Sequence, residues 1–449
     1  MLCRFWDDKR GNYALMMVVA MIPILGGLAL AVDYGEMARR RQLTLNALDA
    51  AAIATAREIQ DGATDDQARV YAKQFFEANL HSLDPADTTL TVTLPTAGQN
   101  TVKLKADLKF EPYFLPAFTS LLGNKRNRLD FAATSEVTVA SRDLEVALVL
   151  DTTASMAGQR IIDLRAAAAE LIDIVVQDKQ TPTYSKVALA PYSMAVNVGT
   201  YAQNVRGTYN SGTCNSPGCA SYKFTSPNGN KNTFSISTCV TERTGTDAYT
   251  DSPPSSAPLG RNYPSSGNPC LTNTIAPLSS DKVSLKAKVS TLMASGSTGG
   301  HVGVAWGWYL VSPKFGYLWP SSSPAAYKTK NLDKVVVIMT DGEYNSVYCK
   351  GVIAQNSTSG SGSSNDHINC DAPNGGSYSQ AQELCKNMKN EGVIVYTVGL
   401  NVINKQEAKD LVSLCATDAD HVYLPNSGTE LKTAFRDIAQ SISKLRISR

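Results

Sequence analysis

Oxygen-bearing side chains at three separate places in the chain could together bind one metal ion. Asp151, Thr153 and Ser155 alternate along a polar loop directly after an apolar segment. Thr298 lies in a glycine-rich loop, and Asp341 ends a second apolar segment. Hydroxyl oxygens with few carboxylates suit a hard cation that keeps some water, which fits Mg²⁺ better than a fully enclosed Ca²⁺. Each piece alone is a weak signal because Asp, Ser and Thr are common in loops, but three pieces in this order are specific.

The segments around these side chains predict the elements that position them. The runs at 144–150 and 335–339 are almost continuously apolar, as in parallel strands covered on both faces. Segments of strand and helix character then alternate to the C-terminus, which predicts an α/β fold with a doubly wound, mostly parallel sheet. Because such sheets bind ligands at the carboxyl ends of their strands, we expect Asp151 and Asp341 at that edge.

Residues 143–449 resemble the von Willebrand factor A domain and its metal-ion-dependent adhesion site. The family pattern is Asp-x-Ser-x-Ser, then a Thr, then an Asp, and it is matched by the five residues above. Thr153 replaces the more usual Ser but keeps the hydroxyl. The resemblance implies that Thr153, Ser155 and Thr298 contact the metal directly, while Asp151 and Asp341 bond partly through water. It also implies Mg²⁺, or alternatively Mn²⁺ or Ca²⁺, with one position open to a carboxylate of a partner protein.

An insert at 196–278 interrupts this domain and is rich in Ser, Thr, Asn, Gly and Pro. Eight of the nine cysteines follow the apolar N-terminal segment, and an even set suggests about four disulfides in an oxidising compartment. The alternative is eight buried free thiols. The four cysteines of the insert are expected to pair among themselves, and two further pairs are expected later in the chain. The candidates are Cys214, Cys219, Cys239 and Cys270 in the insert, then Cys349 with Cys370, and Cys385 with Cys415.

The N-terminal region predicts a single membrane anchor at 13–32, after a cytoplasmic tail at 1–12. The uncharged run 14–32 would span about 28 Å as a helix at ~1.5 Å per residue, close to the thickness of a bilayer core. A cleaved signal peptide is the alternative, but the run is longer than the apolar region of such peptides and continues into a second helical stretch. Three basic residues on each side leave the direction open, whereas the cysteines favour an oxidising C-terminal side.

The same region resembles TadE/TadG-like proteins of bacterial Flp/Tad pilus assembly. The resemblance is carried by Arg-Gly-Asn at 10–12, Val-Asp-Tyr-Gly at 32–35 and Leu-Asp-Ala-Ala-Ala at 48–52. Processed pilins of this kind carry Glu five residues after the cleaved Gly, where this chain has Met16 after Gly11. The resemblance therefore implies an uncleaved, TadG-like, single-pass protein of the bacterial inner membrane. Its C-terminal domain would lie in the periplasm or at the cell surface, with pilus-assembly or envelope components as partners.

Residues 33–142 are expected to form a small α+β stalk. An amphipathic helix is predicted over 64–80, and the alternating pattern of 88–140 predicts strands.

Composition and motifs restrict the function of the whole chain. A net charge of +2 and 18% charged residues give no basic excess, which argues against a nucleic-acid partner. The four histidines form no HExxH motif or Ser/His/Asp arrangement, which argues against an enzyme. The resulting interpretation is a membrane-anchored, metal-dependent protein-binding module in pilus assembly or surface adhesion. The alternatives are a structural envelope protein with a silent metal site and a metal-dependent hydrolase.

Overall fold

A computed structural model describes residues 12–60, 63–81, 83–96, 99–121, 128–139, 142–215, 217–225, 231–349, 352–354 and 372–447. The chain divides into two compact units, Met1–Ala140 and Ser141–Arg449. Each unit has its own hydrophobic core.

The first unit contains one very long helix beside a small antiparallel sheet. Helix α1 (Asn12–Gln60) continues through the predicted anchor and the following helical stretch without a break. The sheet has the order β1-β2-β3, where β1 is Thr88–Thr93, β2 is Thr101–Phe110 and β3 is Leu129–Thr138. Strand β2 alternates strictly between buried and exposed residues, so one face packs on the helices. Two shorter helices complete the unit, α2 (Asp65–Ala78) and α3 (Leu115–Leu121).

The second unit is built on a six-stranded sheet with helices on both faces. Its sheet strands are β4 (Asp143–Asp151), β5 (Ser185–Tyr192), β12 (Ala276–Ser279), β13 (Leu332–Thr340), β16 (Ile394–Gly399) and β17 (Val422–Tyr423). Its helices are α4 (Gln159–Val175), α5 (Ala202–Arg206), α6 (Lys282–Ser290), α7 (Gly300–Val311), α8 (Ser377–Asn390), α9 (Gln406–Cys415) and α10 (Gly428–Ile447). Strands β14 (Val347–Cys349) and β15 (Val352–Ala354) form a separate hairpin.

The strand order of this sheet is β12-β5-β4-β13-β16-β17, and β12 alone is antiparallel to its neighbour among these six. Alternate residues of β4 enter two different cores: Ala147 and Val149 pack on the side of α7 and α8, whereas Val146 and Leu148 pack on the side of α4 and α10. The predicted fold class, a doubly wound and mostly parallel sheet, is therefore confirmed.

The insert folds into small sheets of its own, although its sequence shows little periodicity. One sheet contains β6 (Val196–Asn197), β10 (Cys239–Thr241) and β11 (Gly260–Arg261), and the other contains β7 (Asn210–Cys214), β8 (Cys219–Thr225) and β9 (Lys231–Ser235). Apolar side chains from the insert, such as Val196, Val240 and Leu259, are buried in the same core as α7.

Among the described residues of the second unit, six cysteines form three disulfides. Cys214 is bonded to Cys219, Cys239 to Cys270, and Cys385 to Cys415. The first two lie within the insert and the third links α8 to α9. Cys370 lies outside the described residues, so the expected bond between Cys349 and Cys370 stays a prediction.

Candidate metal centre

The predicted ligands lie where the direction of winding of the sheet reverses. Strand β4 continues through α4 to β5 on one side, and the neighbouring β13 continues through α8 to β16 on the other. Asp151 is the last residue of β4, and Asp341 directly follows β13. The carboxyl ends of strands at such a reversal are the usual ligand-binding edge of an open α/β sheet.

Four of the five predicted side chains form a continuous chain of hydrogen bonds. The Thr153 hydroxyl donates to Asp151 Oδ1 at 2.6 Å and lies 2.9 Å from Ser155 Oγ. Ser155 in turn donates to Asp341 Oδ1 at 2.7 Å. The structure therefore brings two carboxylates and two hydroxyls together from segments 186 residues apart.

The fifth residue, Thr298, is in a loop bonded to the same region. Backbone N–H groups of Ser295 and Ala154 donate to the carbonyls of Thr152 and Gly296 at 3.0 and 2.9 Å, which joins the two loops. Asn345 holds the backbone of Thr298 through two hydrogen bonds. The Thr298 N–H donates to the side-chain oxygen of Asn345 at 2.8 Å, and the Asn345 N–H donates to the Thr298 carbonyl at 3.0 Å.

Asp151 is completely buried and firmly held. Its Oδ2 accepts from the Tyr192 hydroxyl at 2.9 Å and the Thr340 hydroxyl at 3.2 Å. Burial, followed by the negative charge of Asp341, raises the pKa of Asp151 to about 6, although the hydrogen bonds from Thr153 and Tyr192 oppose this shift. At neutral pH the pocket therefore holds an ionised carboxylate in surroundings that disfavour its charge.

Two cations lie beside Asp341. Arg160 Nη1 donates to Asp341 Oδ2 at 3.0 Å, and Lys405 Nζ donates to the Asp341 backbone carbonyl at 3.2 Å. The Arg160 side chain is 42% exposed while that of Asp341 is 2% exposed. Arg160 thus reaches the buried carboxylate from the rim of the site.

This donor set fits a hard divalent cation. Within the described ranges no group of three or more His, Cys, Asp or Glu side chains converges on one point, so an ion here would depend on hydroxyl oxygens. Oxygen-only ligands suit Mg²⁺, Mn²⁺ or Ca²⁺ rather than a softer metal. A cation would also offset the buried negative charge that raises the pKa of Asp151.

Several residues that support the site have no clear signal in the sequence. Asn268 of the insert is 2% exposed, and its Oδ1 accepts from the Ser297 N–H at 2.8 Å and the Ser297 hydroxyl at 2.5 Å. Asn268 thereby holds Ser297, the residue next to Thr298. Asn268 lies in a segment whose sequence shows little periodicity, so the pattern gives no sign of this contact. Tyr192 is the last residue of β5, and its ring lies against Gly303, where a Cβ would approach it to 2.5 Å.

The insert is also tied to the start of α7. His301 is the second residue of α7 and is 1% exposed. Its Nε2 contacts the carboxylate of Glu242, which also accepts from Gln380 at 3.2 Å. His301 is therefore part of the packing between insert and sheet rather than a surface group.

Residues 11–58 match the family described as putative Flp pilus-assembly TadE/G-like. The N-terminal region of this chain is TadE/G-like. This confirms the resemblance inferred from the motifs at 10–12, 32–35 and 48–52. A comparison with curated proteins gives no match.

Solved structures with similarity to the chain include domains of bacterial pilus proteins. The von Willebrand factor domain of the type V pili tip protein Mfa5 from Porphyromonas gingivalis is 13% identical, with 69% of this chain and 97% of that chain covered and a TM-score of 0.38. The pilus adhesin RrgA from Streptococcus pneumoniae is 11% identical, with 79% and 49% covered and a TM-score of 0.37. Proximal thread matrix protein 1 from the mussel byssus, with a zinc-occupied MIDAS motif, is 14% identical, with 67% and 47% covered and a TM-score of 0.32.

Proposed function

We propose that this protein is a membrane-anchored, metal-dependent protein-binding module that acts in bacterial Flp/Tad pilus assembly or surface adhesion. The observation that carries the proposal is the hydrogen-bonded cluster of Asp151, Thr153, Ser155 and Asp341 at the reversal point of the sheet. The TadE/G-like N-terminal region supports the pilus setting.

In this proposal the chain supplies a rigid set of oxygens, and Mg²⁺ bound there would act as a Lewis acid toward a carboxylate of the partner. Asp151 is fixed by Tyr192 and Thr340, so its orientation is set before an ion arrives. Arg160 and Lys405 give the rim positive charge next to Asp341. That charge favours an acidic residue on the partner protein.

The long apolar helix supports the location. Helix α1 contains a stretch long and apolar enough to cross a membrane. The proposal places it in the bacterial inner membrane, with the C-terminal unit in the periplasm or at the cell surface. The disulfides between described cysteines of that unit agree with an oxidising compartment.

Metal binding is tested by thermal unfolding of the full chain in detergent micelles, first in EDTA and then with Mg²⁺, Mn²⁺ or Ca²⁺. An ion that binds only the folded state at 100 times its Kd adds about 2.7 kcal/mol. Asp341→Asn should remove the increase in Tm, whereas Asp410→Asn, which alters an exposed carboxylate bonded to Gln406, should retain it.

Partner binding is tested with purified pilus subunits, presented untreated and after amidation of their carboxyl groups. Binding that needs Mg²⁺ and is lost on amidation or in Asp341→Asn supports the proposal. Equal binding by the amidated subunits contradicts the role of an acidic partner residue.

A structural envelope protein with a silent site is the second candidate. It is favoured by the ion pair between Arg160 and Asp341, because a guanidinium already neutralises one carboxylate of the cluster. Under this alternative none of the three ions changes the Tm of the wild-type chain.

A further inference from the structure

Asp33, near the end of the apolar run, holds a distant segment of the first unit. Its side chain is 3% exposed. Its oxygens accept the backbone N–H groups of Tyr113 at 2.8 Å, Phe114 at 3.1 Å and Leu115 at 2.7 Å. These N–H groups lie at the start of α3, where a helix leaves its amides without internal partners. Asp33 therefore fixes the start of α3 against α1.

An apolar groove lies between α1 and α3, beside the part of α1 that directly precedes Asp33. It has a volume of about 330 Å³, and its lining residues are apolar on both helices: Leu25, Gly26, Leu28, Ala29, Val32, Phe114 and Ala117. Leu25 precedes Asp33 by eight residues, which is about 12 Å along a helix. The start of α3 thus lies beside the last two turns of the apolar run and not beyond its end.

The side chains around this groove are turned outward. Phe114 is 50% exposed and Tyr113 is 62% exposed, and Leu28 and Val32 on α1 are more than half exposed as well. Together they form a continuous apolar surface that extends from α1 onto α3. Aromatic residues at such a position are typical of the boundary between a bilayer and water.

The hydrogen bonds of Asp33 suit the same surroundings. Backbone N–H groups without partners are costly in an apolar medium, and a carboxylate there requires partners of its own. The contact between Asp33 and residues 113–115 gives the backbone N–H groups an acceptor and the carboxylate its donors, without a cation from another protein.

We propose that residues 113–121 form a second membrane contact, which lies in the outer interface of the bilayer beside the anchor. Phe114 and Ala117 reach the acyl chains next to Val32, and Tyr113 lies at the level of the headgroups. The occupant of the groove is lipid, because the groove is continuous with the surface of the span. This inference rests on the proposed membrane anchoring and does not depend on the metal site.

The test uses the full chain in vesicles of phosphatidylcholine and phosphatidylglycerol at 3:1, with lipids brominated along the acyl chains as quenchers. Tryptophan replaces Phe114 in the test variant, Val32 in a reference variant for the span, and Val70, which is 56% exposed on α2, in a control for water. Native tryptophans contribute equally to every variant, so the wild-type signal is subtracted.

The expected result is quenching of Phe114→Trp within about twofold of Val32→Trp, with none for Val70→Trp. Quenching of Val32→Trp together with a Phe114→Trp signal equal to that of Val70→Trp overturns the second contact and leaves the anchor intact. Absence of quenching at both Val32 and Phe114 overturns the anchor and the second contact together. Metal binding is measured separately, so neither outcome is confused with failure of the metal site.

Asp33→Ala in the Phe114→Trp background tests the holding role of the carboxylate. Release of residues 113–115 should lower the quenching of the tryptophan at least twofold, while Val32→Trp with Asp33→Ala keeps its quenching. Unchanged quenching at position 114 would refute the role assigned to Asp33.

Discussion

Replacement of Arg160 by Gln should weaken the metal-free domain and strengthen its binding of metal. Arg160 donates to the Asp341 carboxylate, which is also a predicted metal ligand. A guanidinium and a divalent cation compete for that charge, so the ion must displace the arginine before Asp341 can ligate it. Replacement of Arg160 removes the ion pair, so the metal-free state loses stability. The metal ion then binds more tightly because it no longer has to displace a guanidinium from Asp341.

The magnitude follows from the exposure of the pair. Arg160 is 42% exposed, so solvent screening limits the ion pair to about 1 kcal/mol. Since 1.4 kcal/mol corresponds to a tenfold change in affinity, the Kd for Mg²⁺ should fall about fivefold. The Tm of the metal-free domain should fall by about 1–2 °C, because 1 kcal/mol shifts domains of 150–250 residues by about 2–4 °C and larger ones by less.

Calorimetric titration with Mg²⁺ at pH 7.5, together with thermal scans in EDTA, measures both effects. Arg436→Gln is the matched control because Arg436 forms a similar ion pair with Glu170, at 2.6 Å, between α10 and α4. It should leave the Kd unchanged. The same Kd in Arg160→Gln and the wild type refutes the competition, and no heat of binding in either protein favours the silent site.

Three further predictions follow from buried contacts. Asn268→Ala should weaken Mg²⁺ binding in the same titration and destabilise the domain by about 1 kcal/mol, because the partly buried donors of Ser297 lose their acceptor. An unchanged Kd for Mg²⁺ would show that the insert does not support the metal site. Lys334→Met should lower the free energy of unfolding by about 3–5 kcal/mol in denaturant titrations, because the substitution leaves the buried carboxylate of Glu145 without its cation. The double variant Lys334→Met/Glu145→Leu should recover most of that loss. Relative to Asp151→Asn, the metal-free domain should gain stability in thermal scans as the pH falls from about 6 toward 4. The raised pKa of Asp151 means that the folded state binds this proton more tightly than the unfolded state does. A loss of stability relative to that variant over the same range contradicts the raised pKa.

The sequence predicted the sheet well because its strands are buried on both faces. Continuous apolar runs such as 144–150 and 335–339 are local signals, and the order of segments along the chain limits how parallel strands can be arranged. The ends of these strands place Asp151 and Asp341 at one edge of the sheet.

The remaining contacts depend on pairs that are distant in the chain. Nothing near Asp33 indicates that its partners are residues 113–115, about 80 positions later. The insert likewise lacks periodicity because its strands are only two to seven residues long. The contact of Asn268 with Ser297 is of the same kind and could not be found from the pattern alone.

The ion pair between Glu145 and Lys334 joins the two central strands of the sheet across 189 residues of chain. Strand β4 therefore has no neighbour on one side until nearly three-quarters of the protein has been synthesised. Contacts of such long range form slowly, because a large loop must close first. The central pairing of β4 with β13 consequently cannot form while most of the second unit is being made. In the proposed envelope location, the topology of the sheet would keep its two central strands apart while most of the second unit is still being synthesised.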